Sequence, residues 1–324
     1  MQARKIVTRL GSRQLSASSE HFKVVVLGAG TGGAAVAQRL QATCFPDGGQ
    51  VAIVDPAKTH YYQPGFTKVG AGLMPMSEVQ CDSQELTKNL RRFTAGAAEI
   101  DADKNTVTLS NGDKLQYDAL VVALGCETDF DAVPGMKDAV FDVSQPVISN
   151  YSPKSVTQTL PQLQKFRGGT ATFMFAPHKC PGAPQKVMYL ADDIFRQNGV
   201  RDKSEVHWYS TIPRIFGIPK YADALEKVVE QREIQTHFEH SLVEIHGDNQ
   251  RATWKDNKTG ETHEQHYDLL HVVPGLAAPK LIRDSNLAAE SGFLSIDKET
   301  MQSTTHANVF GIGDCVDIPS TKPA

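Results

Sequence analysis

Cysteine is scarce in this sequence and shows no pairing. Cys44, Cys81, Cys126, Cys180 and Cys315 are five in 324 residues, an odd number, and no two are spaced as in a zinc knuckle. A disulfide scaffold and a Cys-based zinc site are both excluded, so a cysteine with a role needs a reactive neighbourhood of its own. No run of eighteen apolar residues occurs, the length a membrane-spanning helix requires. Basic excess is missing as well. The formal net charge is −4, and no Lys/Arg stripe interleaved with aromatics offers the positive field that nucleic acid needs.

What is there is an ordinary globular composition, 40% hydrophobic and 22% charged, with chain enough for about two domains. It opens on MQARKIVTRLGSRQLSASSE, which holds Arg4, Lys5, Arg9 and Arg13 and no acid before Glu20. Wound as a helix, it sets these bases beside Ile6, Val7 and Leu10, with serines around them. That is the chemistry of a mitochondrial transit peptide, expected over residues 1–20.

Lys23-Val24-Val25-Val26-Leu27 then reads as a buried strand running straight into Gly28-Ala29-Gly30-Thr31-Gly32-Gly33 and a helical stretch from Ala34 to Leu40. This is GxGxxG in the context it requires. Gly28 allows the tight turn, Gly30 lets backbone approach a pyrophosphate, and Gly33 lets helix and strand pack closely. Val51-Ala52-Ile53-Val54 forms a second strand ending in Asp55, twenty-two residues after Gly33. A carboxylate there takes ribose hydroxyls and rejects a 2′-phosphate, which points to FAD or NAD rather than NADP.

Two later segments separate FAD from NAD. Tyr117-Asp118-Ala119-Leu120-Val121-Val122-Ala123-Leu124-Gly125 and Asn308-Val309-Phe310-Gly311-Ile312-Gly313-Asp314 resemble the second and third signatures of the two-dinucleotide-domain flavoproteins. That resemblance implies FAD, with the strand ending at Gly125 closing over the cofactor and Asp314 holding its ribityl chain. The expected fold is α/β: two Rossmann-like, FAD/NAD(P)-binding three-layer domains, one nested in the other. The FAD-binding unit would cover 21–149 and 291–324, and the central unit 150–290.

The central unit supplies the chemistry. Gly168-Gly169-Thr170-Ala171-Thr172-Phe173-Met174-Phe175 reads as a turn and a strand. Val187, Leu190, Ala191, Ile194 and Phe195 then mark one apolar helix face, with Pro184 suited to its first turn. Between them lies FAPHKCPGAPQK, residues 175–186. A nicotinamide nucleotide would need glycines and free amides in this loop, yet it holds one glycine, Gly182, and prolines at 177, 181 and 184. A nicotinamide donor is therefore disfavoured, and Cys180 is the remaining redox group. His178, Lys179, Lys186 and the helix N-terminus favour its ionised, nucleophilic form.

Beyond the cofactor signatures, the chain resembles the mitochondrial sulfide:quinone oxidoreductase family. The stretches that carry this are His60-Tyr61-Tyr62-Gln63-Pro64, Val69-Gly70-Ala71-Gly72, Lys179-Cys180-Pro181-Gly182-Ala183-Pro184-Gln185-Lys186, Lys220-Tyr221-Ala222-Asp223-Ala224-Leu225 and Gly311-Ile312-Gly313-Asp314-Cys315. The resemblance implies oxidation of sulfide through a cysteine persulfide, FAD-mediated transfer of two electrons to ubiquinone, and release of the sulfur to glutathione or sulfite. It matches Cys180 to one redox cysteine, Asp55, Gln63 and the Thr31-Gly32 loop to FAD contacts, and Ala97 to a backbone contact with the adenine. It also implies peripheral association with the mitochondrial inner membrane.

Some of the family's pattern is not met. Its second redox cysteine, much of its quinone pocket and its membrane-docking helices lie beyond the Gly-Asp-Cys motif, whereas nine residues follow Cys315 here. Cys126 and Cys315 stand near the flavin signatures but not at the partner position, and packing is their expected role. Cys44 and Cys81 read as structural. Bacterial members carry a further cysteine where Asn150-Tyr151-Ser152 stands, and a carboxylate where Gln185-Lys186 stands. Six histidines fall late, at 237, 240, 246, 263, 266 and 271. Strand alternation puts His237 and His240 on opposite faces, which argues against a metal site. Asn257-Lys258-Thr259-Gly260 reads as a hairpin turn. The competing functions are an NADH:quinone-type flavin reductase and a catalytically silent, shortened flavin-binding form.

Overall fold

The computed structural model describes residues 19–177, 180 and 182–318. The presequence reading of residues 1–18 and the loop cations His178 and Lys179 lie outside them. The first valine run becomes β1 (Ser19–Leu27), followed by α1 (Thr31–Thr43) and β2 (Val51–Val54). Next come β3 (Thr59–Tyr61), α2 (Phe66–Gly70), β4 (Gln80–Asp82), β5 (Arg91–Phe93), β6 (Ala97–Asp101), β7 (Thr106–Leu109) and β8 (Lys114–Val122). After β9 (Glu127–Asp129) and α3 (Met136–Phe141), the central unit runs through β10 (Val147–Ile148), α4 (Val156–Lys165), β11 (Gly169–Phe175), α5 (Ala183–Gln197), β12 (Ser204–Ser210) and α6 (Pro219–Gln231). It continues with β13 (Ile234–Phe238), β14 (His240–His246), β15 (Arg251–Asp256), β16 (Thr262–His266) and β17 (Leu269–His271). The chain returns through β18 (Gly275–Ala277), α7 (Lys280–Arg283) and β19 (Val309–Gly311).

The first sheet has the order β5-β2-β1-β8-β7-β6, with β19 also on β8. β1, β2, β5, β8 and β19 pair in parallel. Val25, Val26, Leu27 and all of β2 are buried, as strands covered on both faces must be. Ser19 and Glu20, at the end of the expected presequence, pair with Lys114 and Leu115 of β8, and Glu20 meets Arg91 at 3.0 Å. The start of β1 is polar and is held by its neighbours rather than by burial. Ile282, Leu287, Leu294, Val309 and Val316 share one core with Val25, Leu27, Leu120 and Val122, so the chain completes its first unit after leaving the second.

The second sheet, β10-β17-β11-β12-β13, is parallel throughout. A mixed sheet with a parallel core, β6 and β7 adding antiparallel at one edge, and a fully parallel sheet inserted within its chain bear out the expected α/β class. In α5, Val187, Ala191 and Phe195 are buried as the periodicity predicts, joined by Met188, while Leu190 and Ile194 are half-buried. Asp192 on the same helix is fully buried because Arg201 and Arg232 hold it at 2.5 and 2.7 Å. β14, β15 and β16 form an antiparallel sheet, and the turn after Asp256 passes through Gly260 at φ 78°. The expected hairpin is there.

One histidine expectation fails. Glu239, at φ 59°, ends β13 and turns the chain into β14, so the His237 and His240 rings approach to 6.2 Å instead of facing apart. They join a stack around Tyr209, whose ring lies 4.2 Å from that of His237 and 3.8 Å from that of Trp254. Among the described residues no group of three or more His, Cys, Asp or Glu is arranged to hold a metal ion.

Candidate active site

The turn between β1 and α1 is shaped by what cannot fit there. A Cβ on Gly33 would stand 1.9 Å from the Gly28 carbonyl oxygen, and one on Gly28, at φ 96°, would stand 2.4 Å from that of Ala123. Helix and strands therefore touch backbone to backbone. Nothing lies within 4 Å of a Cβ on Gly30, which leaves open backbone at the N-terminus of a thirteen-residue helix, a place suited to phosphate.

Asp55 follows β2 directly. Its Oδ2 accepts from the Ala29 amide at 2.5 Å and its Oδ1 from the Ala57 amide at 2.6 Å. Each oxygen keeps a further lone pair for a hydroxyl donor. Opposite strand ends supply Gly125, at φ 69°, and Asp314 in the short turn Gly313–Cys315.

These features border a single cavity of roughly 920 Å³. Gly28, Gly30, Thr31, Gly32, Asp55, Gln63, Ala97, Gly125 and Asp314 all line it. Gly33 lies behind, in the helix–strand contact, and Cys180 is not among the lining residues. The size is at the upper end for ligand pockets. Open backbone at a helix start, an oriented carboxylate beside it and a second carboxylate across the cavity fit a dinucleotide with a long polar chain. Sequence reasoning missed Ser83, Pro279, Lys280 and Leu281 in the lining. No motif marks them, because folding brings them in from a loop and from α7.

The thiols divide sharply by surroundings. Cys315 is fully buried, its sulfur 3.3 Å from the Val122 carbonyl, and burial pushes its thiol up, away from reactivity at neutral pH. Cys126 lines the cavity half-buried, with its sulfur donating to Asp314 Oδ2 at 3.8 Å. Cys44 and Cys81 are exposed. Cys180 is half-buried three residues before α5, and α5 packs on α2, the helix that continues from the cavity residues Gln63 and Pro64. The Tyr151 hydroxyl is buried nearby. Burial pushes its phenol up, and the charge of Cys180 adds to the rise.

Comparison with known proteins agrees over most of the chain. Residues 22–158 and 192–324 match the family model for pyridine nucleotide-disulphide oxidoreductase. The mitochondrial sulfide:quinone oxidoreductase of Mus musculus is 38% identical over 95% of this chain and 68% of its own length. That of Schizosaccharomyces pombe is 34% identical over 94% of this chain and 71% of its own. The X-ray structure of sulfide:quinone oxidoreductase from Aquifex aeolicus superposes with a TM-score of 0.80 at 21% identity, covering 94% of this chain and 71% of that one. The chain therefore belongs to the pyridine nucleotide-disulphide oxidoreductase family and, within it, to the mitochondrial type of sulfide:quinone oxidoreductase.

Proposed function

We propose that the chain is a mitochondrial flavoenzyme that oxidises hydrogen sulfide and delivers two electrons to ubiquinone, with sulfur passing through a persulfide on Cys180 to glutathione or sulfite. The loop after β11 carries this reading. It presents a half-buried thiol among prolines, at the start of a helix where a nicotinamide-using relative would need glycines and amides. Identity with mitochondrial sulfide:quinone oxidoreductases along nearly the whole chain supports it.

FAD is the cofactor of this family and of this chain. We infer that Gly28, Gly30, Thr31, Gly32 and Gly33 form its pyrophosphate cradle, Asp55 its ribose ligand and Ala97 a backbone contact to adenine. Gln63, Gly125 and Asp314 would serve the flavin half. When bound, FAD supplies the two-electron exchange between thiol chemistry and quinone.

The protein's own part is sulfur handling. Bisulfide and the Cys180 thiolate join as a persulfide, releasing one proton and two electrons, and ubiquinone takes the electrons with two protons to become the quinol. The outer sulfur then leaves on the acceptor thiolate or sulfite and restores the Cys180 thiolate. Lys186, exposed on the first turn of α5, attracts the bisulfide anion. Quinone dissolves in the bilayer, which puts the enzyme at the surface of the inner membrane; no helix among the described residues is long and apolar enough to cross it.

Anaerobic mixing with sulfide, and separately with NADH, tests the reading through the visible flavin band. Sulfide should bleach the wild type and leave Cys180→Ala coloured, with flavin content equal in both. Bleaching by NADH alone would eliminate it.

A further inference from the structure

Arg92 stands on β5 beside the cavity's adenosine end and makes no ion pair among the described residues. Its guanidinium is spent on neutral oxygens. Nη2 donates to the Ala57 carbonyl at 2.6 Å, to Ser83 Oγ at 2.8 Å and to the Asp55 carbonyl at 3.3 Å, and Nη1 donates to Thr87 Oγ1 at 3.2 Å. Ser83 is buried, lines the cavity and donates in turn to the Ala57 carbonyl at 2.5 Å. Arg92 Nε is buried without a hydrogen-bond partner.

A half-buried cation normally takes a carboxylate partner, since otherwise its desolvation goes uncompensated. Here one nitrogen, Nη2, instead ties both ends of Asp55-Pro56-Ala57, the tripeptide whose Ala57 amide orients the Asp55 carboxylate, while Nη1 anchors the planar group on Thr87. We propose that Arg92 is a positioning residue for the adenosine half of FAD, fixing the Asp55 carboxylate in place by clamping its loop. This rests on the reading of Asp55 as the ribose ligand.

The test strips flavin from the full chain and titrates it back with FAD and, separately, with FMN, which lacks the adenosine, reading flavin fluorescence. Arg92→Ala should bind FAD about tenfold more weakly with FMN affinity unchanged, on the scale of a lost charged hydrogen bond. Arg92→Lys should recover it only in part, because a single ammonium nitrogen has no second, rigidly held nitrogen to anchor on Thr87 Oγ1 as Nη1 does. An Arg92→Ala/Asp55→Asn double variant should bind FAD no more weakly than Asp55→Asn alone. Equal losses for FAD and FMN, full rescue by lysine, or additive losses in the double variant would each overturn the proposal. Asp55→Asn binding FAD like the wild type would instead overturn the Asp55 reading on which it stands. If Arg92→Ala does not fold, Thr87→Val, which removes the Nη1 acceptor together with the hydroxyl's own bonds to the Ser83 and Gln84 carbonyls, takes its place: a selective FAD loss supports the clamp, and an unchanged FAD affinity overturns it.

Discussion

Gly30 and Gly33 lie three residues apart in one fingerprint, yet alanine should harm the protein differently at each. At Gly33 the new methyl meets a backbone oxygen at 1.9 Å, which cannot yield without moving α1 off β1. Gly33→Ala should destabilise the flavin-free protein by roughly 1–3 kcal/mol or more, as overpacking does. At Gly30, φ is −66° and the space is open, so the flavin-free protein should melt as the wild type does while FAD affinity falls. Thermal unfolding of both apoproteins, set beside FAD titrations, checks the pair. A Gly30→Ala protein that binds FAD normally would mean that no phosphate approaches there. Both glycines are legible in the sequence because a missing Cβ is a local geometric fact. Arg92 is not, because it sits next to an identical residue. Arg91 reaches an exposed acid, Glu20, while Arg92, one position on in the same strand, points to the other face and into the cavity wall.

Among the elements, the joint between β13 and β14 shows where pattern reading runs out. Period-two alternation assumes one unbroken strand, and the break at Glu239 turns two expected opposite faces into one cluster. Its chemistry is pH-sensitive. His207 Nδ1 and His237 Nε2 lie 3.0 Å apart, and His263 Nε2 meets the Tyr209 hydroxyl at 3.2 Å. Burial, and then the neighbouring histidines, pushes His237 down from 6.5 to about 4; burial lowers His207 and His263 too, against a partial rise from Glu205 at His207. The folded cluster thus binds fewer protons than the unfolded chain between these values. Stability is full above pH 6.5 and drains as pH falls toward 4. Melting temperature should drop by several degrees across that window, and His237→Phe, which keeps the stack without the titrating nitrogen, should flatten the slope. An equal slope in both proteins would remove the cluster from the account.

At the scale of the whole molecule, the cavity and the thiol belong to different sheets, and this is why sequence alone could assign the cofactor but not its distance from the chemistry. Motif order places both on strand ends. Long-range contacts join β9 to β18 and α2 to α5, and neither contact has a sequence signature. The same division predicts how the protein answers its cofactor. Every described residue lining the cavity falls in 28–127 or 279–314, and none comes from the stretch between them; Pro279, Lys280 and Leu281, expected within the central unit, line the cavity with the first unit, where Ile282 and Leu287 are packed. A ligand that binds only the folded state stabilises first the elements it touches, and passes that gain on only as far as opening is cooperative. Removing FAD from the intact chain should therefore raise amide hydrogen exchange at 28–33, 55–64, 123–127 and 312–315, while β11 and β12, paired along seven residues in their own sheet, keep their protection. By the chemistry proposed for Cys180, sulfide added to the holoprotein should protect the segment around that residue first. If loss of FAD instead loosened β11 and β12 as much as the glycine turn, the two sheets would be opening as one body.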